Sequence, residues 1–402
     1  MSPDEPHILA INGGSSSIKF ACFAMSAAPH RIYCGSIDGI GRSHAVMHVT
    51  SDNPHDAMPV RTVPADRATA VMALVTWVTA HHADVELTAI GHRVVHGGPR
   101  YTDPQLVTPD MLDELRRITP FDPQHLTEEL ELIETFQQHM PGLPHVACFD
   151  TAFHHHMPRV AQIVSIPRRY EAHGVRRYGF HGLSYEFIRD ELERRAGAIS
   201  AQGKVIIAHL GNGASLVAMH HGKSVDTSMG FTPASGVPMG SRSGDLDPGL
   251  FQYLSVTEGL NAQQFDHMVN YESGMLGVSE TSSDMRDLLR RESTDVRAAE
   301  AVALFCYQVK QRIGAFAATL GGVETLIFTG GIGEHAAVIR ARICAGMQFL
   351  GIEIDPQRNI THDEVISAYG TSVSVRVIPT DEERMIATLV GQTLHLVGQP
   401  GV

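Results

Sequence analysis

Two periods of hydrophobic and polar positions run through this chain. Short apolar runs closed by glycine or polar turns mark strands: Ile8-Leu9-Ala10-Ile11 before Gly13-Gly14, Ala89 to Val95 before Gly97-Gly98, and His145 to Phe149 ending at Asp150. Val205-Ile206-Ile207-Ala208, Leu216-Val217-Ala218-Met219 and Val323 to Thr329 read the same way. Residues 8–50 read as short strands with turns at Gly13-Gly14, Asp38-Gly39 and Gly41, and 51–66, polar and proline-rich, as a surface loop. Three- and four-residue spacing marks helices over Arg67–His81, near 110–118 and 124–139, over Leu183–Arg195 and over Asp295–Leu320. In the last, Val302, Phe305, Val309, Ile313, Phe316 and Leu320 form one stripe, which Gly321-Gly322 ends. Gly330-Gly331-Ile332-Gly333 turns into a further helix, and Thr380 with Glu383 patterns as a capping box for the last one. Regular alternation of the two element types predicts an α/β protein.

One arrangement, strand–glycine turn–strand, occurs twice. Gly13, Ser17 and Ile18 answer to Gly211, Ser215 and Leu216, offset by close to half the chain. A turn without Cβ atoms lets backbone N–H groups close on an anion. Alone, such a hairpin is just a turn; repeated, it describes two similar halves. By fold analogy this resembles the actin-like (ribonuclease H-like), sugar-kinase-like ATPases, with the site in a cleft between the halves. A chain of 402 residues is long enough for two domains. Asp150 is the expected boundary, giving domains over 1–150 and 151–382, with the terminal helix 383–402 crossing back to complete the first.

A hydrophobic content of 43% and a charged content of 19% fit a globular protein. The net charge of −13 disfavours non-specific nucleic-acid binding, so anionic ligands must be met by local arginines. Cys22, Cys34, Cys148, Cys306 and Cys344 form no CxxC pair, which points away from zinc and disulfides and toward a cytoplasmic setting. The acidic, proline-broken N-terminus is not a signal peptide, and no apolar stretch is long enough to span a membrane.

Asp226–Pro248 is long, glycine-punctuated and without periodicity, as functional loops are. With it stand Asn12-Gly-Gly-Ser-Ser-Ser-Ile-Lys19, His92-Arg93-Val-Val-His-Gly-Gly98, Phe149-Asp150-Thr-Ala-Phe-His154, Arg177-Tyr-Gly-Phe-His-Gly182, His209-Leu210-Gly211-Asn212-Gly213, Phe328-Thr-Gly-Gly-Ile-Gly-Glu334 and Asp381-Glu-Glu383. In this order, over nearly the whole chain, they resemble the acetate kinase family. The resemblance implies Mg²⁺-dependent transfer of the ATP γ-phosphoryl group to acetate or another short carboxylate, with Mn²⁺ as a possible substitute cation. It also implies a homodimer.

The resemblance assigns roles. Arg93 binds the substrate carboxylate, and Arg242 and His181 stabilise the transferring phosphoryl group; guanidinium forks suit both anions, and the alternative for each arginine is a salt bridge. For His181 the alternative is a satisfied core histidine. Asp150 is the family's catalytic aspartate, although positioning of metal or water suits its chemistry equally. Asn12 and Glu382 correspond to Mg²⁺ ligands, Glu383 being able to serve as a helix cap. Lys19 corresponds to an ATP-binding residue or else is the polar side of its strand. His209, Leu210, Gly211, Asn212 and Gly213 meet the phosphates. Asp284, Met285 and Arg286, with Gly331, Ile332, Gly333, Glu334 and His335, line the adenosine pocket. Val95, Phe121, Phe180 and Pro233 surround the acyl group.

Two departures stand out. His335-Ala336 replaces the asparagine and serine common after Glu334. The stretch Thr119-Pro120-Phe121-Asp122-Pro123-Gln124-His125 is one residue short and lacks the family histidine, leaving His125 as a displaced candidate. A propionate kinase shares every motif. A non-enzymatic actin-like switch needs no carboxylate clamp, so Arg93, His181 and Arg242 argue against it.

Overall fold

A computed structural model describes residues 5–14, 16–26, 29–51, 58–82 and 86–396. The chain divides into two compact units, Met1–Ala152 with Asp381–Val402, and Phe153–Thr380.

In the first unit the described residues form a sheet in the order β5-β4-β3-β2-β1-β6-β8-β7. The strands are β1 (His7–Gly13), β2 (Ser17–Ala24), β3 (His30–Asp38), β4 (Ala45–Ser51), β5 (Met58–Val63), β6 (Leu87–Val94), β7 (Gln105–Leu106) and β8 (His145–Phe149). The first five make an antiparallel meander, whereas β6 joins β1 and β8 in parallel. Helices Arg67–His82 and Pro123–His139 close one face over Leu9, Ile11, Phe20, Trp77, Leu132 and Phe136. β5 corrects the expected loop over 51–66. It pairs with β4 at the sheet edge, the position where a strand tolerates Pro59 and exposes Val60; residues 52–57 of that stretch lie outside the described residues.

The second unit holds a smaller sheet in the order β11-β10-β9-β12-β13. Its strands are β9 (Val205–Leu210), β10 (Ala214–His220), β11 (Lys223–Thr227), β12 (Thr325–Thr329) and β13 (Ser374–Val377). β9, β10 and β12 are buried along most of their length, so their sequences read as continuous apolar runs. Helix Val296–Leu320 packs on β10 and buries Val302, Phe305, Val309, Ile313 and Phe316 of its predicted stripe, leaving Leu320 half-buried, and ends at Gly321, in the left-handed conformation.

The expected capping box is also corrected. Asp381, not Thr380, caps helix Glu382–Thr393 by accepting from the Arg384 amide. Thr380 turns instead into the second unit, where its Oγ1 meets Ser184 Oγ at 2.9 Å.

Candidate active site

In the first unit, ladder register puts Asn12 opposite Lys19, and Ala10 opposite Gly91. Alternation therefore brings Asn12, Lys19 and Arg93 to one face of the sheet. Helix Glu382–Thr393 packs there. A Cβ on Gly91 would stand 2.5 Å from Ile386 and 2.6 Å from Val390, so only glycine admits the helix this closely. The helix N-terminus then lies at the end of β1, and Asn12 Nδ2 donates to Glu382 Oε2 at 2.8 Å and to Glu383 Oε1 at 3.1 Å.

Burial and repulsion from Asp150 raise the Glu382 carboxyl above its ordinary value, and burial and Glu382 raise Glu383. The charge of Lys19 opposes both shifts. Crowded, buried carboxylates of this kind suit a divalent cation. No group of three or more His, Cys, Asp or Glu able to hold a metal exists among the described residues. The oxygens of Asn12, Glu382 and Glu383 are hard donors of the kind Mg²⁺ takes, an ion that keeps several waters and needs only one or two protein carboxylates.

Arg93, near the end of β6, meets Asp150, just past the end of the neighbouring β8. Its Nη1 also donates to Gly13 O at 3.2 Å and to Glu129 Oε1 at 3.1 Å. Burial works against the guanidinium charge, but Asp150, Glu129 and Glu382 outweigh it and raise the pKa. Glu129 is 2% exposed and its other oxygen accepts the Val95 amide at 2.8 Å, while burial pushes its carboxyl up to about 8. Sequence reasoning passed over Glu129. Its signal was a charge on the apolar stripe of Leu126, Leu130 and Ile133.

Phe121 stands edge-on to His96, with ring centres 5.4 Å apart. His125 Nδ1 lies 2.8 Å from Asp122 Oδ1, the same oxygen that caps helix Pro123–His139. His125 is thus held locally by the helix start.

In the second unit, β9 and β10 frame the turn Gly211-Asn212-Gly213. His181 precedes helix Gly182–Ala196 with φ 59° and ψ 26°, a left-handed conformation costing roughly 1–3 kcal/mol for a residue with a Cβ. This aims the imidazole at the turn: a Cβ on Gly213 would lie 3.3 Å from His181 Nε2 and 3.8 Å from Arg242 Nη1. Both groups expected to stabilise the phosphoryl transfer thus converge on one glycine.

Arg242 is placed by its loop. Met239 N donates to Arg242 O, Gly240 N to Asn212 O, and Ser243 N to Val269 O. Arg177 holds the start of that loop by donating to Asp226 and to the Thr227 carbonyl. Phe180 and Pro233 are buried, and the Phe180 carbonyl lies 3.0 Å from His154 Nε2.

Gly331, Ile332, Gly333, Glu334 and His335 form the helical turn Gly330–His335 after β12. Glu334 Oε1 accepts the amides of Gly330 at 2.9 Å and Thr380 at 3.1 Å. The wholly buried Arg340 steadies this turn from behind, donating to the carbonyls of Gly333 and Glu334, each at 2.8 Å. Asp284 caps helix Met285–Arg291, and the exposed Arg286 pairs with Asp284. Those two bond to each other rather than to residues 331–335.

The chain as a whole is similar to known proteins. A model of the acetokinase family matches residues 7–388. The acetate kinase of Rhodopseudomonas palustris is 44% identical over 387 residues, covering 94% of this chain and 96% of its own. The propionate kinase of Citrobacter rodentium is 42% identical over 388 residues, 94% of this chain and 95% of its own. The crystal structure of Porphyromonas gingivalis acetate kinase superposes with a TM-score of 0.85 at 33% identity, covering 97% of this chain and all of that one. The fold is accordingly the duplicated actin-like ATPase fold. Sequence match, fold and the ordered motifs lead to one conclusion: the chain belongs to the acetokinase family.

Proposed function

We propose that the chain transfers the γ-phosphoryl group of ATP reversibly to acetate, giving acetyl phosphate and ADP, and that the residues above carry the roles set out here. As a member of this family it is a kinase that phosphorylates a carboxylate. The observation that carries the assignment is the convergence of His181 and Arg242 on Gly213.

A carboxylate is ionised at neutral pH and needs no general base. One of its oxygens bonds to the γ-phosphorus as the bond to the β,γ-bridging oxygen breaks, and that electron pair leaves with ADP. Catalysis therefore rests on alignment and charge neutralisation. Arg93 receives the carboxylate, and its ion pair with Asp150 supports Asp150 as the group that orients Arg93. His181 and Arg242 meet the charge on the transferring group, and His209 to Gly213 cradle the phosphates, with Lys19 adding charge. Asp284 to Arg286 and Gly331 to His335 receive the adenosine. Asn12 and Glu382 hold Mg²⁺, or Mn²⁺ in its place, which when bound neutralises phosphate charge. Val95, Phe121, Phe180 and Pro233 limit acyl length.

Propionate is the second substrate reading, supported by the 42% identity of the Citrobacter rodentium relative, close to the 44% of the acetate kinase. A cytoplasmic homodimer completes the proposal. It is supported by exposed apolar side chains on helix Gly249–Thr257, with Tyr253 62% and Val256 72% exposed.

Hydroxylamine trapping tests the activity. Acyl hydroxamate should form only with ATP, Mg²⁺ and a short carboxylate together, and a panel from formate to butyrate ranks the substrates. Arg242→Ala and His181→Ala should each lower kcat by about 10²–10³ with little change in the KM for ATP. Near-normal kcat in either variant removes that residue from the transition state.

A further inference from the structure

His181 and His209 are stacked, with ring centres 4.4 Å apart and planes inclined by 23°. Each is held at Nδ1 by a fully buried serine: His181 by Ser215 Oγ at 2.8 Å, His209 by Ser184 Oγ at 2.8 Å. Each serine in turn meets a second hydroxyl. Tyr185 Oη hydrogen-bonds Ser215 Oγ, and Thr380 Oγ1 lies 2.9 Å from Ser184 Oγ. The opposite ring nitrogens turn to the glycine turn. A Cβ on Gly213 would stand 3.3 Å from His181 Nε2, and one on Gly211 3.9 Å from His209 Nε2.

Local structure explains the pairing. Ser215 and His209 are directly opposed in the β9–β10 ladder. Ser184 and Tyr185 lie in the first turn of the helix that His181 precedes. Two serines from different elements therefore grip two histidines from different elements, each serine crossing to the other's neighbour.

We propose that the hydroxyl pairs Tyr185–Ser215 and Thr380–Ser184 fix His181 and His209 as neutral Nε2–H tautomers, so that both imidazoles donate to the anion held in the Gly211–Gly213 turn. This rests on the reading that the turn receives phosphate. A phenol is a stronger donor than an aliphatic hydroxyl, so Tyr185 donates to Ser215 and Ser215 to His181 Nδ1. The ring proton is then left on Nε2. The second chain is proposed to run the same way, Thr380 to Ser184 to His209, although either aliphatic hydroxyl of that pair can donate. Two imidazolium rings stacked beside Arg242 would repel one another, which favours neutral donors. Ser184, Ser215, Tyr185 and Thr380 are thus positioning residues, acting through the two histidines.

The test reads the tautomer directly. Long-range ¹H–¹⁵N spectra of histidine-labelled protein at neutral pH should show an unprotonated Nδ1 and a protonated Nε2 for both residues, assigned by their loss in His181→Asn and His209→Asn. Ser215→Ala should mix the His181 tautomers and lower kcat about tenfold while leaving the KM for ATP within about twofold. Tyr185→Phe, which keeps the ring packing, should shift both readouts the same way by less. An Nδ1–H or doubly protonated His181 in the unaltered protein overturns the proposal, whatever the activity of the variants. Unchanged kcat in Ser215→Ala despite mixed tautomers overturns the positioning role. Unchanged kcat in His181→Asn overturns the phosphate reading itself.

Discussion

Arg93 grips Asp150 through two nitrogens, Nε at 3.0 Å and Nη2 at 2.7 Å, both on the single oxygen Oδ2. The other oxygen, Oδ1, is buried and has no hydrogen-bond partner among the described residues. Asp150 therefore spends one oxygen on orienting the arginine and keeps one acceptor in reserve. Glu129 holds the far side of the same guanidinium.

This arrangement gives Arg93 a place in a buried ion-pair cluster as well as its proposed part in binding. Arg93→Ala should raise the KM for acetate, as loss of a carboxylate clamp does. It should also leave Asp150 as a buried carboxylate without a counter-charge, a loss of about 3–5 kcal/mol in folding stability. Urea denaturation beside steady-state kinetics checks both effects. An unaltered unfolding midpoint would show that the ion-pair cluster relaxes without strain.

Asn12→Ala and Glu382→Ala should each raise the Mg²⁺ concentration needed for half-maximal activity, because each removes an oxygen donor at the end of β1. Titration of activity against Mg²⁺ at saturating ATP measures it. An unchanged curve in both variants would put the metal elsewhere.

His92 Nε2 and His145 Nδ1 are 2.9 Å apart in a stacked, buried pair. Burial, and for His92 also the neighbouring His145, lowers both below the ordinary histidine value. The folded state thus refuses protons that the unfolded chain accepts as pH falls below about 6.5. The neutral pair contributes fully above that pH and its contribution is lost on acidification, at about 1.4 kcal/mol for each tenfold lowering of proton affinity. The unfolding midpoint should drop between pH 7 and pH 5, and drop less in His145→Gln. Equal drops would show that this pair does not govern acid stability.

Phe121, beside His96, is the bulky group proposed to shorten the acyl site. Phe121→Ala should raise the kcat/KM ratio of butyrate over acetate. His125→Ala should matter little to activity, because the imidazole is engaged by Asp122, which still caps its helix through the His125 backbone amide. A butyrate ratio unmoved by Phe121→Ala would remove it from the pocket. A large activity loss in His125→Ala would show that His125 has taken over the missing histidine's task.

What the sequence by itself determined was local or carried by contiguous motifs. The paired glycine turns and the stripe of helix Val296–Leu320 with its Gly321 stop were legible, because periodicity and turn chemistry act over a few residues, and Arg93, His181 and Arg242 were picked out as candidates by contiguous motifs. Tertiary structure decided the partners. Whether Asp381 or Thr380 caps the last helix depends on Thr380 being drawn to Ser184, a contact spanning 196 positions. Asn12 meets Glu382 across 370 positions, through a sheet face that Gly91 leaves open to the helix. Glu129 looks like a surface charge until its helix packs and burial forces it onto Arg93. The strand at Met58–Val63 exists because β4 offers it an edge, not because its own residues demand it. Local propensity fixes elements within their own span; the desolvation and hydrogen-bond demands of buried polar groups are set only when distant elements close over them.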